Sequence, residues 1–176
     1  MQKGYVQVYT GNGKGKTTAA LGLALRAAGH NMRVLVLQFI KGPWMSGEVK
    51  VCRDLACIDI EQLGSGFIKF EQGKLVIDHA LKKEAQKALA YAKEKMMEGV
   101  YDVIVLDEIN NMVDYGLIEA NQLVEMIKNK PENLTLVLTG RNADPRVIQA
   151  ADTVTEMKEV KHAFSRGIKA VKGIEY

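Results

Sequence analysis

Apolar positions along the chain switch between two periods, and the switching predicts the fold. Tyr5-Val6-Gln7-Val8-Tyr9 alternates and reads as a strand. Ala19-Ala20-Leu21-Gly22-Leu23-Ala24-Leu25 then reads as a buried helix, with Gly29 as its C-cap. Arg33 to Ile40 is apolar almost throughout and suits a strand buried on both faces. Ile58 to Leu63 alternates again. Between Leu75 and Met97, apolar residues recur at Leu81, Ala85, Ala88, Leu89, Ala92 and Met96, which is one face of a long amphipathic helix. Tyr101 to Glu108 is an apolar strand ending in two acids. Glu119 to Lys130 reads as a helix stopped by Pro131, and Leu134 to Thr139 as a strand. Asp144-Pro145 opens a short helix, and Asp152 to Met157 is a last strand. Strands alternating with helices predict an α/β fold: a mostly parallel sheet of about six strands with helices on both faces.

Chemistry enters between the first strand and the first helix. Thr10-Gly11-Asn12-Gly13-Lys14-Gly15-Lys16-Thr17-Thr18 is a glycine-rich loop containing Gly-Lys-Thr in the strand–loop–helix context of a P-loop. Glycines let backbone N–H groups turn inward around phosphate, and the helix N-terminus adds its dipole. Lys16 brings a mobile charge, and the Thr17 hydroxyl suits Mg²⁺. The loop departs from the usual pattern. Thr10 stands where the first glycine belongs, Gly11 comes one residue later, and Lys14 lies inside the loop. An ordinary ligand-free βα turn is the bland alternative, and the flanking strand and helix argue against it. The fold expected is therefore P-loop NTPase-like.

The second signal is Leu106-Asp107-Glu108 at a strand end downstream of the P-loop. An acid there can hold Mg²⁺, or its waters, opposite Thr17. Asp107 and Glu108 would project to opposite sides of an extended chain, so one of them faces the metal directly. Thr139-Gly140-Arg141 reaches the same sheet edge, where Arg141 is placed to meet phosphate with a forked donor or to lie on a surface turn. Asn129-Lys130-Pro131-Glu132 resembles the guanine-reading motif of GTPases. It ends in Glu rather than Asp and precedes its strand, so it is rejected.

Trp44, the single tryptophan, falls in a loop after the second strand, where open α/β sheets bind ligands. Anchoring that loop on the core explains it equally well. Gly64-Ser65-Gly66-Phe67-Ile68-Lys69-Phe70 reads as a loop presenting rings, either to a flat ligand or to the core. His79 has no second ligand at metal spacing and is read as structural. The tail from Val160 to Tyr176 is basic and carries apolar residues throughout. It is expected to pack near the site or at a subunit interface.

The remaining properties narrow the classes. At 176 residues the chain is one domain, 1–176, large enough for a core without staples. A net charge of +3 fits small anionic ligands and gives little support for nucleic acid. Cys52 and Cys57 are too few for a disulfide framework or a structural zinc site and read as reduced thiols. No signal peptide or membrane-length apolar run is visible, so a cytoplasmic protein is expected.

Five segments occur in order: the P-loop from Thr10 to Thr18, Gln38-Phe39-Ile40-Lys41-Gly42, Leu106-Asp107-Glu108, Thr139-Gly140-Arg141 and Val160-Lys161-His162-Ala163-Phe164. Together they closely resemble the P-loop-type ATP:corrinoid adenosyltransferases, over nearly the whole chain. The resemblance implies that a Co(I) corrinoid attacks the 5′ carbon of ATP and that triphosphate leaves, with the nucleotide reversed relative to other P-loop enzymes. Lys16, the N–H groups of Asn12 through Thr18, and Mg²⁺ (or Mn²⁺) held by Thr17 and Glu108 would stabilise the leaving group. Asp107 would support the metal from behind, and Arg141 would meet the polyphosphate. No general base is needed. Phe67 matches an aromatic that closes the corrinoid's lower face. The tryptophan usual two residues on is Lys69 here, so Phe70 is the substitute expected, with Trp44 a further corrinoid contact. A reduced flavoprotein as electron donor and a homodimer are family expectations. Rival classes are a kinase or ATPase acting between phosphates, and a nucleotide-dependent switch.

Overall fold

The computed structural model describes residues 3–42, 46–64, 70–71, 74–75 and 79–174, with the backbone alone at 70–71, 74–75 and Phe164. Trp44 and Phe67 lie outside the described residues.

The strands are β1 (Val6–Thr10), β2 (Val34–Gln38), β3 (Ile58–Gln62), β4 (Phe70–Glu71), β5 (Lys74–Leu75), β6 (Val103–Asp107), β7 (Thr135–Thr139) and β8 (Thr153–Glu156). The helices are α1 (Lys16–Ala28), α2 (Gly47–Arg53), α3 (His79–Met97), α4 (Ile109–Asp114), α5 (Ala120–Lys128) and α6 (Pro145–Ala150). The main sheet has six strands in the order β3-β2-β6-β7-β1-β8, and every pairing in it is parallel. Parallel neighbours need crossovers, which the helices supply.

Side-chain alternation splits the core into two layers. Val34, Val36, Val103, Val105 and Val137 pack under α1 and Cys52 of α2. Leu35, Leu37, Ile104, Leu106, Leu136 and Leu138 face the other way, against α3 to α6. Strands β2, β6 and β7 are buried at every position, which is why their sequences are mostly apolar, with polar residues only at strand ends. At the edge, β8 is exposed at all four residues.

Several boundaries differ from the sequence reading. Leu75 is not helical but pairs with Phe70 in a two-stranded antiparallel sheet, and the described helix α3 is His79–Met97. Helices α2 and α4 are too short to show a helical period, so the sequence pattern missed them. The first helix is less buried than its composition implies. Ala20, Ala24 and Ala27 form its inner stripe, while Leu25 is 58% exposed. Gly29 caps α1 in right-handed geometry, and the left-handed exit falls at Asn31. Cys52 and Cys57 are free thiols, and burial pushes the Cys52 pKa up. Among the described residues no helix is long and apolar enough to cross a membrane.

Candidate active site

The C-terminal ends of β1, β2, β6 and β7 converge on one edge of the sheet, where ligands collect in open α/β folds. The P-loop starts there. Thr10, where the pattern usually has glycine, is still a residue of β1 and 7% exposed. Its hydroxyl accepts a hydrogen bond from the Ala143 N–H at 3.1 Å, tying the loop after β7 to the strand. The turn itself begins at Gly11, with φ of 93°, and ends at Gly15, with φ of 112°. The displaced glycine is thus a turn displaced by one residue, in a left-handed conformation open to glycine.

The loop is braced from outside by the chain that continues β8. The Gly13 N–H donates to the Met157 carbonyl at 2.6 Å, and the Met157 N–H donates to the Thr10 carbonyl at 2.8 Å. A Cβ on Gly13 would lie 2.6 Å from the Met157 oxygen, a backbone atom that cannot step aside. Gly13→Ala is therefore expected to displace the loop and weaken nucleotide binding by about tenfold or more, at a cost of ~1–3 kcal/mol in stability. Calorimetric titration and thermal melting would check both. In this structure the Gly13 amide, expected to face phosphate, is directed to Met157.

Lys16 folds back over the loop, its Nζ donating to the carbonyls of Gly11 and Gly13, each at 2.7 Å. Burial, and then the neighbouring Arg141, lower its pKa. Phosphate oxygens are better acceptors for this cation than neutral carbonyls.

The Thr17 Oγ1 donates to Asp107 Oδ1 at 2.8 Å, across 90 residues of sequence. The same oxygen accepts from Thr139 Oγ1 at 2.7 Å, and Oδ2 accepts from Gln38 Nε2 at 3.3 Å. Asp107 is only 1% exposed, so a carboxylate there requires these donors. With its proton committed to Asp107, the Thr17 oxygen keeps lone pairs for a cation.

Glu108 does not continue the strand. It sits at φ of 65°, a left-handed conformation costly for a residue with a Cβ, at the start of α4. The Thr139 Oγ1 accepts from its N–H at 2.8 Å. The expectation of an extended chain through both acids fails here. The turn buries Asp107 beneath the site and brings Glu108 to the cavity wall. Burial, reinforced by the charge of Asp107, pushes the Glu108 pKa up to about 7.

These groups open onto a cavity of ≈ 440 Å³. Among the described residues its lining carries four cations, Lys14, Lys16, Lys41 and Arg141, and two carboxylates, Glu48 and Glu108. An excess of positive charge in a half-enclosed site suits a polyphosphate. Lys41 is ion-paired with Glu48, and this bond holds the Glu48 pKa down although burial works to raise it. Asn111 lines the cavity, and its Oδ1 accepts from the Arg141 N–H at 2.6 Å, fixing the turn that presents Arg141.

The site thus gathers Lys14, Gly15, Lys16, Thr17, Thr18, Glu108 and Arg141 on its wall, with Asp107 beneath. Gly11 and Gly13 face Met157, and Asn12 is exposed and away from the wall. The backbone of Phe70 lies in the small hairpin. The sequence reading assigned no role to Glu48 or Asn111, which carry no spacing signal, nor to Thr139, although it lies in the Thr139-Gly140-Arg141 segment. Gly173 and Ile174 at the cavity place part of the tail near the site. For Lys41 a signal existed, the Gln38-to-Gly42 segment.

Fold and site together define a P-loop nucleotide-binding α/β protein. Sequence comparison narrows this. The family described as ATP:corrinoid adenosyltransferase BtuR/CobO/CobP matches residues 2–176. The corrinoid adenosyltransferase of Escherichia coli K12 is 38% identical over 99% of this chain and 87% of its own length. The corrinoid adenosyltransferase CobA of Salmonella typhimurium is 37% identical over 99% and 87%. The Pseudomonas aeruginosa corrinoid adenosyltransferase is 40% identical over 99% and 85%. This chain belongs to the ATP:corrinoid adenosyltransferase family.

Proposed function

We propose that the chain transfers the 5′-deoxyadenosyl group of ATP to the Co(I) centre of a corrinoid, in the cavity above Thr17 and Asp107. Family membership implies ATP and a corrinoid as the two substrates. The observation that carries the residue assignment is the Thr17–Asp107 hydrogen bond beneath a wall of four cations.

The electron pair of Co(I) forms the new bond to C5′. The C5′–O5′ bond breaks, and its pair departs on the triphosphate. No proton moves, so the protein's work is positioning and stabilisation of negative charge. Lys16 leaves the carbonyls of Gly11 and Gly13 for the phosphates, and Arg141 and Lys14 add charge from the wall. The residues present fit a hard divalent cation. Thr17 Oγ1 and the Glu108 carboxylate would hold Mg²⁺, with Asp107 orienting Thr17 and substrate phosphates completing the shell. Such an ion neutralises charge on the leaving triphosphate.

The resemblance supports the rest. Phe67, Phe70 and Trp44 would contact the corrinoid, a reduced flavoprotein would supply the electron, and the active form would be a homodimer. A second reading has one observation in its favour. A carboxylate with a pKa of about 7, as at Glu108, suits a general base that activates water for ATP hydrolysis.

Product analysis separates the two. With MgATP and chemically reduced cobalamin, adenosylcobalamin and triphosphate are expected in equal amounts. ADP and phosphate with an unchanged corrinoid spectrum would remove the transfer reading.

A further inference from the structure

A polar row crosses the sheet where apolar residues are the rule. Gln38 ends β2, a strand buried at all five positions, and is itself 0% exposed. In register it stands between Asp107 of β6 and Gln62 of β3. Registered residues of a parallel sheet share a face, and this face is the one under α1. Gln38 Nε2 donates to Asp107 Oδ2 at 3.3 Å, and Gln62 Nε2 donates to Gln38 Oε1 at 3.3 Å. Thr139 of β7 and Thr17 of α1 close the row on the other oxygen of Asp107.

The row has one direction. A carboxylate accepts and never donates, so Gln38 must turn its NH₂ toward Asp107. Its oxygen then points outward and needs a donor, which Gln62 supplies. Inverting either amide would set oxygen against oxygen or NH₂ against NH₂. Asp107 is thereby held at both oxygens with no second charge introduced. A lysine at position 38 would also satisfy Oδ2, but it would place a cation beneath the metal position and oppose divalent binding. An apolar residue would leave Oδ2 without a partner in a site closed to water.

We propose that Gln38 and Gln62 are positioning residues for MgATP. Gln38 fixes the carboxylate plane of Asp107, and hence the aim of the Thr17 oxygen, while Gln62 fixes the direction of the Gln38 amide. This rests on the reading above that Thr17 and Asp107 serve the metal-bound nucleotide. It adds two residues from a neighbouring strand and an edge strand, neither of which touches the cavity.

The test is MgATP and metal-free ATP affinity, by calorimetry, for the full chain and for Gln38→Met, Gln62→Met and the double variant. Methionine keeps length and volume and removes the amide. Gln38→Met is expected to weaken MgATP about tenfold, the scale seen when partners behind a metal ligand are lost. Gln62→Met is expected to weaken it about threefold. The double variant should match Gln38→Met alone, because an absent amide has no direction to set. Metal-free ATP should bind all four proteins alike, which a merely structural role would not produce. Unchanged MgATP affinity in Gln38→Met, equal losses with and without metal, or additive effects in the double variant would overturn the proposal. Should Gln38→Met not fold, Gln62→Met decides alone: a loss confined to MgATP supports the row, and no loss overturns it. If the wild type forms no adenosylated corrinoid while these MgATP ratios hold, the reaction assignment falls and the row stands.

Discussion

Glu108→Gln is expected to abolish turnover and to make the protein more stable at pH 8. The catalytic loss follows from removing the carboxylate that reaches the cavity beside Thr17, and about 10²-fold or more is expected for a group acting on transition-state charge. The stability gain follows from the pKa. In the folded chain Glu108 titrates at about 7, against an ordinary value of 4.5. The folded state therefore holds this proton more tightly than the unfolded state does. Stability is lost as pH rises from about 4.5 to 7, and above that the full penalty of ~3 kcal/mol is present. Glutamine does not titrate and escapes it. The variant should melt higher than wild type at pH 8, with the difference vanishing near pH 4. Thermal melts across that range would check this, and a lower midpoint for the variant at pH 8 would refute the burial argument.

Asp107→Asn is expected to lose activity as completely but to destabilise. The carboxylate accepts from Thr17, Thr139 and Gln38. Asparagine can offer one oxygen to both hydroxyls, which turns its NH₂ against the NH₂ of Gln38. Gln38 relieves this only if Gln62 inverts with it. Either way three donors lose an ionised acceptor, at ~1–3 kcal/mol. Turnover should fall about 10²-fold, since Thr17 loses its orienting partner. Two adjacent acids should thus give equally inactive variants with opposite shifts in midpoint. Denaturant unfolding at pH 8 reads the sign directly, and shifts of the same sign would mean that the division of roles between them is wrong.

That division shows where sequence reading stops. The two acids are neighbours in Leu106-Asp107-Glu108, and treating them as one extended strand puts their side chains on opposite sides. The structure breaks the strand between them, with Glu108 at φ of 65°. A left-handed non-glycine residue carries no sequence mark, because surrounding packing holds it there. Thr10 is a similar case. In the sequence it is a departure from the usual motif. In the fold it is the last residue of β1, and its hydroxyl ties down the chain at Ala143.

Some elements were legible because burial on both faces leaves a strong trace. Strands β2, β6 and β7 read as apolar runs for that reason. The 19-residue helix α3 was legible through its repeat, although Phe70–Glu71 and Lys74–Leu75 pair as antiparallel strands before it. Helix α2, at seven residues, spans too few turns to show one.

The sequence by itself determined the fold class, the P-loop, the acid-ended strand and, through five ordered segments, the family. Those signals are local: period, glycine spacing and residue type within a few positions. Tertiary structure decided what joins across distance. It set Met157 against Gly13, spending an amide otherwise available to phosphate. It paired Lys41 with Glu48 at the cavity wall. It also aligned Gln62, Gln38 and Asp107 in one row, because β3, β2 and β6 are neighbours in the sheet although β6 follows β3 by some forty residues. Register between strands distant in sequence is set by the packing of the whole core, and no window along the chain contains it.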